Sequence, residues 1–281
     1  MTLPNLVGCG AGKSGTTSLY YYLSEHPEIN MALAKEIHFF SWHYDRGIEW
    51  YEKQFPAQDD ARIVGEFSTS YMLDHTVPRR MSELIPDARL LFIFRNPIDR
   101  AYSNYWSALN IGAQVSGSTF SEVIRTQEGY EKYIVGGLYY EHLQRYLKYY
   151  DRDHFFIMLT EEMKNDPIGQ LSSCYKFLGV DASFQPNVEK NYNITITTDK
   201  KWKATLDQGW LDFKAVIKPM FLWIPGSFRR RFAQLEQKAR ISFNGAMRPE
   251  MLKDDREYLS NIYREHNEKL AQFMNRELSW D

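Results

Sequence analysis

The sequence predicts an α/β fold in which helices cover a mostly parallel β-sheet. Short apolar runs alternate along the chain with longer amphipathic ones, which is the pattern of parallel strands joined by helices. The run Leu90-Leu91-Phe92-Ile93-Phe94 is apolar throughout, as expected of a strand buried on both faces. No repeat, low-complexity tract or Ser/Gly linker interrupts the 281 residues, so we expect one domain spanning residues 1–281.

Local signals assign the elements in chain order. Leu6-Val7 begins a first strand that leads into a glycine-rich turn and then a helix. Pro78 falls in the first turn of another helix, and Asn96-Pro97 is an N-cap followed by proline at the first helical position. The predicted strands are 6–7, 62–66, 90–94 and 155–159, and the predicted helices are 16–24, 77–84, 97–109, 138–149, 168–178 and 249–273. Residues 192–243 predict no clear elements.

Charge and cysteine content exclude several classes of function. The chain has 34 basic and 36 acidic residues, a net charge of −2, so nucleic acid is not an expected partner and any anion site must be built locally. Cys9 and Cys174 lie far apart in no pairing motif, which excludes a disulfide framework or a cysteine zinc site. The first residues lack a basic region and a long apolar stretch, so we expect no signal peptide and a cytoplasmic location.

The glycine-rich turn has the composition of an anion site. Gly8-Cys9-Gly10-Ala11-Gly12-Lys13-Ser14-Gly15-Thr16-Thr17 follows the first strand and opens a helix. Glycines let backbone N–H groups surround an anion, and the helix N-terminus adds partial positive charge. Lys13 contributes a full charge, and Ser14, Thr16 and Thr17 contribute hydroxyl donors. A plain tight turn that needs glycines for geometry alone is the alternative, and the cluster of lysine and hydroxyls at the helix start favours the anion site.

A nucleotide kinase or NTPase is the competing function, since Gly12-Lys13-Ser14 mimics the end of a Walker motif. The spacing does not fit, because the first Walker glycine would fall at Val7. Such enzymes also use an acidic residue at a strand end to hold Mg²⁺, and here the best strand is followed by Arg95.

A second anion site is expected where the strand 90–94 meets the next helix. Arg95-Asn96-Pro97-Ile98-Asp99-Arg100-Ala101-Tyr102-Ser103 lies at the carboxyl edge of the predicted sheet, where ligands of open α/β sheets bind. Arg95 can grip a phosphate through its guanidinium fork, and Ser103 can donate from the helix. Two anion sites on one sheet edge suggest a ligand with phosphates at both ends.

These two segments together resemble the sulfotransferases that use 3′-phosphoadenosine 5′-phosphosulfate (PAPS). Further stretches are similar to the glycan branch of that family, the heparan sulfate N- and O-sulfotransferases. They are Lys35-Glu36-Ile37-His38-Phe39-Phe40, Gly47-Ile48-Glu49-Trp50-Tyr51, Gly137-Leu138-Tyr139, Phe177-Leu178-Gly179-Val180 and Arg248-Pro249-Glu250. The resemblance covers nearly the whole chain and implies a P-loop-like three-layer α/β/α sandwich.

The resemblance also implies a mechanism of in-line displacement at sulfur, with 3′-phosphoadenosine 5′-phosphate (PAP) as the product. It assigns Glu36 as general base and Lys13 as the cation that stabilises the leaving group, while His38 either orients the acceptor or is an ordinary buried histidine. Because a sulfuryl group carries less charge than a phosphoryl group, we expect no metal. The implied nucleotide contacts are Gly12, Lys13, Ser14, Gly15, Thr16, Thr17, Arg95, Ser103, Tyr139 and Arg248. Tyr139 and His142 are explained equally well by aromatic packing.

Two departures from the glycan branch bear on the acceptor. Phe67 follows Glu66 where heparan-sulfating members tend to have lysine, and Ser41 stands where 3-O-sulfating members have aspartate. With the near-neutral charge, both changes weaken the expectation of a polyanionic glycan as acceptor, and they leave a glycan, a neutral sugar, a lipid-linked sugar and a small hydroxylated metabolite as candidates. The nucleophile is a hydroxyl or an amine. A non-catalytic nucleotide-binding module is a third hypothesis, and it would need neither Lys13 nor Glu36.

Overall fold

The computed structural model describes residues 3–55, 61–110, 113, 119–189 and 249–280. Its centre is a five-stranded sheet with all neighbouring strands parallel, in the order β2-β3-β1-β4-β5. The strands are β1 (Leu6–Gly10), β2 (Ile29–Met31), β3 (Ile63–Phe67), β4 (Arg89–Phe94) and β5 (Phe155–Leu159). The predicted α/β fold with a parallel sheet is confirmed.

Helices follow or connect these strands. They are α1 (Thr16–Glu25), α2 (Phe39–Trp42), α3 (Ile48–Glu52), α4 (Val77–Leu84), α5 (Pro97–Asn110), α6 (Phe120–Val123), α7 (Gln127–Gly129), α8 (Tyr139–Tyr146), α9 (Thr160–Asn165), α10 (Pro167–Leu178) and α11 (Lys253–Met274). Asn96 caps α5 as predicted, since its Oδ1 accepts a hydrogen bond of 2.9 Å from Ile98 N. None of the helices in the described ranges is long and apolar enough to span a membrane.

Each face of the sheet has its own apolar core, which makes the molecule a three-layer sandwich. Leu90, Phe92 and Phe94 of β4 point into a core shared with α2, α3, α4 and α8. Leu91 and Ile93 point to the opposite side, into a core shared with α1 and α10. Because successive strand residues face opposite sides, burial on both faces explains why residues 90–94 of β4 are all apolar.

The structure differs from the sequence prediction at several short helices, at one strand and at two helix ends. The short helices α2, α3, α6, α7 and α9 were not predicted. The edge strand β2 was not predicted, since its three residues Ile29–Met31 are too short to show a periodicity. Helix α8 ends at Tyr146 rather than Tyr149, and α11 begins at Lys253 rather than Pro249. The region 192–243 lies outside the described residues.

Candidate active site

The two predicted anion segments meet at the carboxyl ends of β1 and β4, which are neighbours in the sheet. The chain leaves β1 toward the β2 edge and leaves β4 toward the β5 edge, so the connections diverge at this point. Such a switch in strand order opens a crevice where ligands of α/β proteins bind.

The glycine-rich turn is joined to the segment that follows β4. Ala11 N donates to Ile93 O at 2.8 Å, and Arg95 Nη1 lies 3.4 Å from Lys13 O. The Lys13 ammonium reaches across to Ser107 Oγ of α5 at 3.1 Å. Gly15, which precedes α1, has φ of 90°, a left-handed conformation that glycine adopts without strain. The structure therefore brings Lys13 and Arg95 together, as the sequence predicted.

Ser14 carries a polar atom that suits a bound anion. Its Oγ is fully buried and has no hydrogen-bond partner of normal geometry. The neighbouring Tyr139 hydroxyl donates to Arg95 O at 2.8 Å instead. Thr160 Oγ1 holds the turn from below, at 2.7 Å from Ser14 O. Since a buried hydroxyl without a partner is disfavoured, Ser14 fits a role as donor to an anionic group in the turn.

The remaining predicted nucleotide contacts differ in their exposure. Thr16 and Ser103 are buried, and Gly12, Thr17 and Arg95 are partly exposed. Tyr139 is buried, and its ring stacks on Phe94 at 4.2 Å. Burial raises the pKa of Tyr139 to about 12. The hydroxyl of Tyr139 thus supports the backbone of Arg95, and a direct contact with nucleotide stays a prediction. Arg248 lies outside the described residues.

Glu36 lies at the carboxyl edge of the same sheet and is held by Thr69, which follows β3. Thr69 N donates to Glu36 Oε2 at 2.7 Å, and Thr69 Oγ1 lies 3.1 and 3.2 Å from the two carboxylate oxygens. The Lys35 ammonium also donates to Glu36 Oε1. The glycine-rich turn is adjacent, because a Cβ added to Gly12 would lie 3.8 Å from Thr69. The Glu36 carboxylate and the glycine-rich turn are therefore neighbours, with Thr69 between them.

His38 extends this network toward solvent. Its Nε2 is 3.6 Å from Glu36 Oε2, and its Nδ1 is 2.7 Å from Ser70 Oγ. Burial lowers the pKa of His38 below its usual value, while the Glu36 carboxylate works in the opposite direction. The ring is thus neutral at pH 7 and can donate or accept a hydrogen bond. His142 is placed differently, buried with Nε2 bonded to Val135 O, and burial lowers its pKa to about 4.

A groove of about 540 Å³ opens beside His38. Its lining residues are Ser41, Trp42, Ser70, Leu73, Asp74, His75, Thr76 and Arg80. Trp42 is 65% exposed, and its indole packs against the His38 ring at 3.9 Å. Ser70 Oγ contacts both His38 Nδ1 and Ser41 Oγ, the latter at 2.8 Å, so hydrogen bonds join the groove to His38, whose other ring nitrogen lies 3.6 Å from Glu36.

Sequence reasoning missed the residues that hold these side chains in place. Thr69, Ser70 and Ser107 contact Glu36, His38 and Lys13, and none of them stood out in the sequence. The available signal was the Ser68-Thr69-Ser70 run, which begins two positions after the predicted strand 62–66. In the described part of the chain, no group of three or more His, Cys, Asp or Glu side chains is arranged to hold a metal ion.

The fold and the site place the chain among α/β proteins that carry a glycine-rich turn after the first strand of a parallel sheet. The sequence model of the sulfotransferase domain matches residues 4–211. The chain therefore belongs to the sulfotransferase family of enzymes.

Similar proteins support this assignment. The chain is 29% identical to the bifunctional heparan sulfate N-deacetylase/N-sulfotransferase 2 of Homo sapiens over 291 positions, which cover 98% of the chain and 30% of that relative. It is 28% identical to the heparan sulfate glucosamine 3-O-sulfotransferase 6 of Mus musculus, over 99% of the chain and 74% of the relative. The crystal structure of a sulfotransferase from Alicyclobacillus acidocaldarius matches with a TM-score of 0.72 and 26% identity, over 99% and 98% of the two chains.

Proposed function

We propose that this chain transfers the sulfuryl group of PAPS to a hydroxyl of a sugar or small polyhydroxylated acceptor, with Glu36 as general base. The observation that carries the proposal is the position of Glu36, whose carboxylate is bound to Thr69 beside Gly12 of the anion-binding turn. A base and an anion site must be this close for proton removal and sulfuryl transfer to occur in one step.

The residues present fit PAPS as donor. The orphaned Ser14 hydroxyl, Lys13 and the start of α1 would hold the 5′-phosphosulfate, and Arg95 with Ser103 would hold the 3′-phosphate. When bound, PAPS would supply the sulfuryl group and leave as PAP. Lys13 would then place positive charge where the leaving phosphate oxygen gains negative charge. Glu36 would accept the proton of the acceptor hydroxyl as the new oxygen–sulfur bond forms.

The groove beside His38 is the proposed acceptor site. It combines an exposed indole of Trp42, on which the apolar face of a sugar ring can pack, with hydroxyls of Ser41 and Ser70 that can bond to the ring substituents. Arg80 also lines the groove, but its guanidinium donates to Phe40 O at 2.7 Å and stacks over the Tyr44 ring at 4.5 Å. Because these contacts already occupy the guanidinium, we do not assign Arg80 to binding an anionic acceptor.

The position of Phe67 also argues against a polyanionic acceptor. Phe67, which stands where heparan-sulfating relatives tend to have lysine, is fully buried. Its ring lies against the backbone of Gly8, where an added Cβ would be only 2.2 Å from ring atoms. This position therefore cannot present a cation to an acceptor, and we propose a neutral sugar or a small neutral polyol.

Calorimetric titration with PAP, beside 5′-AMP and ATP·Mg²⁺, tests the donor. Micromolar binding that depends on the 3′-phosphate supports the proposal, whereas tight ATP·Mg²⁺ binding without that dependence would support a kinase instead. Glu36→Gln should abolish transfer from radiolabelled PAPS and leave PAP affinity intact, because the base does not hold the nucleotide. Transfer by Glu36→Gln at the wild-type rate would remove Glu36 from the mechanism.

The acceptor class is tested by competition between neutral and sulfated oligosaccharides for radiolabelled transfer. Neutral acceptors should be preferred, and Trp42→Ala should raise the acceptor KM while Trp42→Phe, which keeps an aromatic face, should raise it less. Preference for the sulfated oligosaccharides would contradict the neutral-acceptor proposal and leave the donor assignment standing.

A further inference from the structure

Glu66 is a wholly buried carboxylate that the mechanism above does not use. It lies on β3 opposite Val7 of β1. Three hydroxyls bond to it: Tyr51 and Tyr71 donate to Oε1 at 2.6 and 2.8 Å, and Ser68 donates to Oε2 at 2.7 Å. Buried carboxylates are rare unless they are paired, and this one is held by neutral donors rather than by a cation.

Two of the three hydroxyls also bind the segment that carries Glu36 and His38. Ser68 Oγ accepts the hydrogen bond of His38 N at 2.9 Å. The Tyr71 hydroxyl accepts the hydrogen bond of Phe40 N at 3.3 Å. Each of these hydroxyls has a single proton, and because that proton points to Glu66, the lone pairs of the oxygen face the two backbone N–H groups.

The segment held in this way needs an external constraint. Glu36 and His38 have φ of 65° and 56°, a left-handed conformation that is unfavourable for residues with a side chain. Strained backbone of this kind persists only where the surrounding structure determines it. The hydrogen bonds from His38 N to Ser68 and from Phe40 N to Tyr71 help to hold the backbone in this conformation.

We propose that Glu66 is a positioning residue, which orients the hydroxyls of Ser68 and Tyr71 and through them fixes the backbone that presents Glu36 and His38. The effect of Glu66 on kcat rests on the proposed function, whereas its effect on the conformation of the backbone from Glu36 to Phe40 does not.

The protonation state of Glu66 matters to this arrangement. Burial raises the pKa of Glu66 to about 7 in spite of the three hydrogen bonds, which favour the carboxylate. A protonated Glu66 donates to one of the hydroxyls, whose own proton must then point elsewhere, so the geometry in which that oxygen accepts from its backbone N–H changes. The titratable groups that face Glu66 are Tyr51, Tyr71, Cys9 of β1 and Glu36, and the first three stay neutral at pH 7 because their pKa values are raised.

Three single variants separate positioning from simple support of the core. Tyr71→Phe removes a bond to Glu66 and the acceptor of Phe40 N, and Ser68→Ala removes the acceptor of His38 N. Tyr51→Phe is the matched control, since it removes an equivalent bond to the same carboxylate oxygen but no contact with the segment. We expect Tyr71→Phe and Ser68→Ala to lower kcat by about ten- to a hundredfold with unchanged PAP affinity. Tyr51→Phe should lower the melting temperature as much as Tyr71→Phe and lower kcat far less.

A second measurement needs no acceptor. In ¹⁵N-labelled protein, the amide resonances of His38 and Phe40 should shift with a midpoint near 7, and Glu66→Gln should abolish that transition. Equal losses of kcat in the two tyrosine variants, or an amide transition that survives Glu66→Gln, would overturn the proposal. If the wild type binds no PAP and transfers no sulfuryl group but shows the Glu66-dependent transition, the proposed function fails and the positioning role of Glu66 stands.

Discussion

Replacing Glu66 with glutamine should change the pH dependence of stability. The pKa of Glu66 is about 7 in the folded protein and 4.5 in its ordinary state, so the folded protein holds the proton more tightly. The stabilisation from this proton is complete below pH 4.5 and is lost as the pH rises through 7. The loss amounts to about 3 kcal/mol, since each tenfold change in proton affinity corresponds to about 1.4 kcal/mol.

His142 works in the opposite direction over an overlapping range. Its pKa falls from 6.5 to about 4 on folding because the imidazolium form is disfavoured by burial. Its contribution is therefore complete above pH 6.5 and is lost as the pH falls through 4, again by about 3 kcal/mol. Between pH 4.5 and 6.5 the changes in folding stability from Glu66 and His142 therefore largely cancel in the wild type. Replacing either Glu66 or His142 leaves the pH dependence of the other residue uncompensated.

Urea denaturation of the wild type and Glu66→Gln at half-unit steps from pH 4.5 to 7.5 measures this effect. The stability of Glu66→Gln relative to the wild type should rise by about 3 kcal/mol across that range, whatever constant loss the substitution adds. His142→Gln should show the opposite trend. A difference between Glu66→Gln and the wild type that does not vary with pH would refute the argument, because Glu66 would then titrate at its ordinary value.

Two further predictions concern the proposed nucleotide site and strand β1. Arg95→Ala should weaken PAP binding by about ten- to a hundredfold, which is the effect of losing one charge-assisted hydrogen bond. The control Arg79→Ala, on the exposed face of α4, should leave PAP affinity unchanged. If calorimetry gave the same PAP affinity for Arg95→Ala and Arg79→Ala, Arg95 would not belong to the 3′-phosphate site. Gly8→Ala should destabilise the protein by about 3 kcal/mol in urea, because its Cβ would overlap the Phe67 ring. Gly12→Ala, whose Cβ would be 3.8 Å from the closest atom, should be much less destabilising, and equal losses would show that the Phe67 contact is not the cause.

Much of the fold was predictable because its signals are local. The burial of residues 90–94 in β4 follows from an uninterrupted apolar run, and the start of α5 follows from Asn96 and Pro97. The glycine-rich turn was also recognisable, since its glycines, lysine and hydroxyls are adjacent in the chain. In each case the residues that determine the structure lie within a few positions of one another.

The support around Glu36 could not be predicted in the same way. Thr69 binds Glu36 across 33 positions, and Ser68 binds His38 across 30. These pairs meet only because β2 and β3 are parallel neighbours, and β2 is too short to be predicted. The assignment of Glu36 came from the family resemblance, because without it a glutamate beside Lys35 looks like a solvated charge until the strand order is known.

The sequence by itself determined the α/β class, the glycine-rich turn after the first strand and the residue types available for the chemistry, because composition and short-range periodicity specify these. Only the tertiary structure decided that Thr69 places Glu36 beside Gly12. It also decided that the buried carboxylate of Glu66 orients the hydroxyls of Ser68 and Tyr71. The physical reason is that a hydrogen bond depends on distance in space, and strand order brings together residues that no local pattern connects.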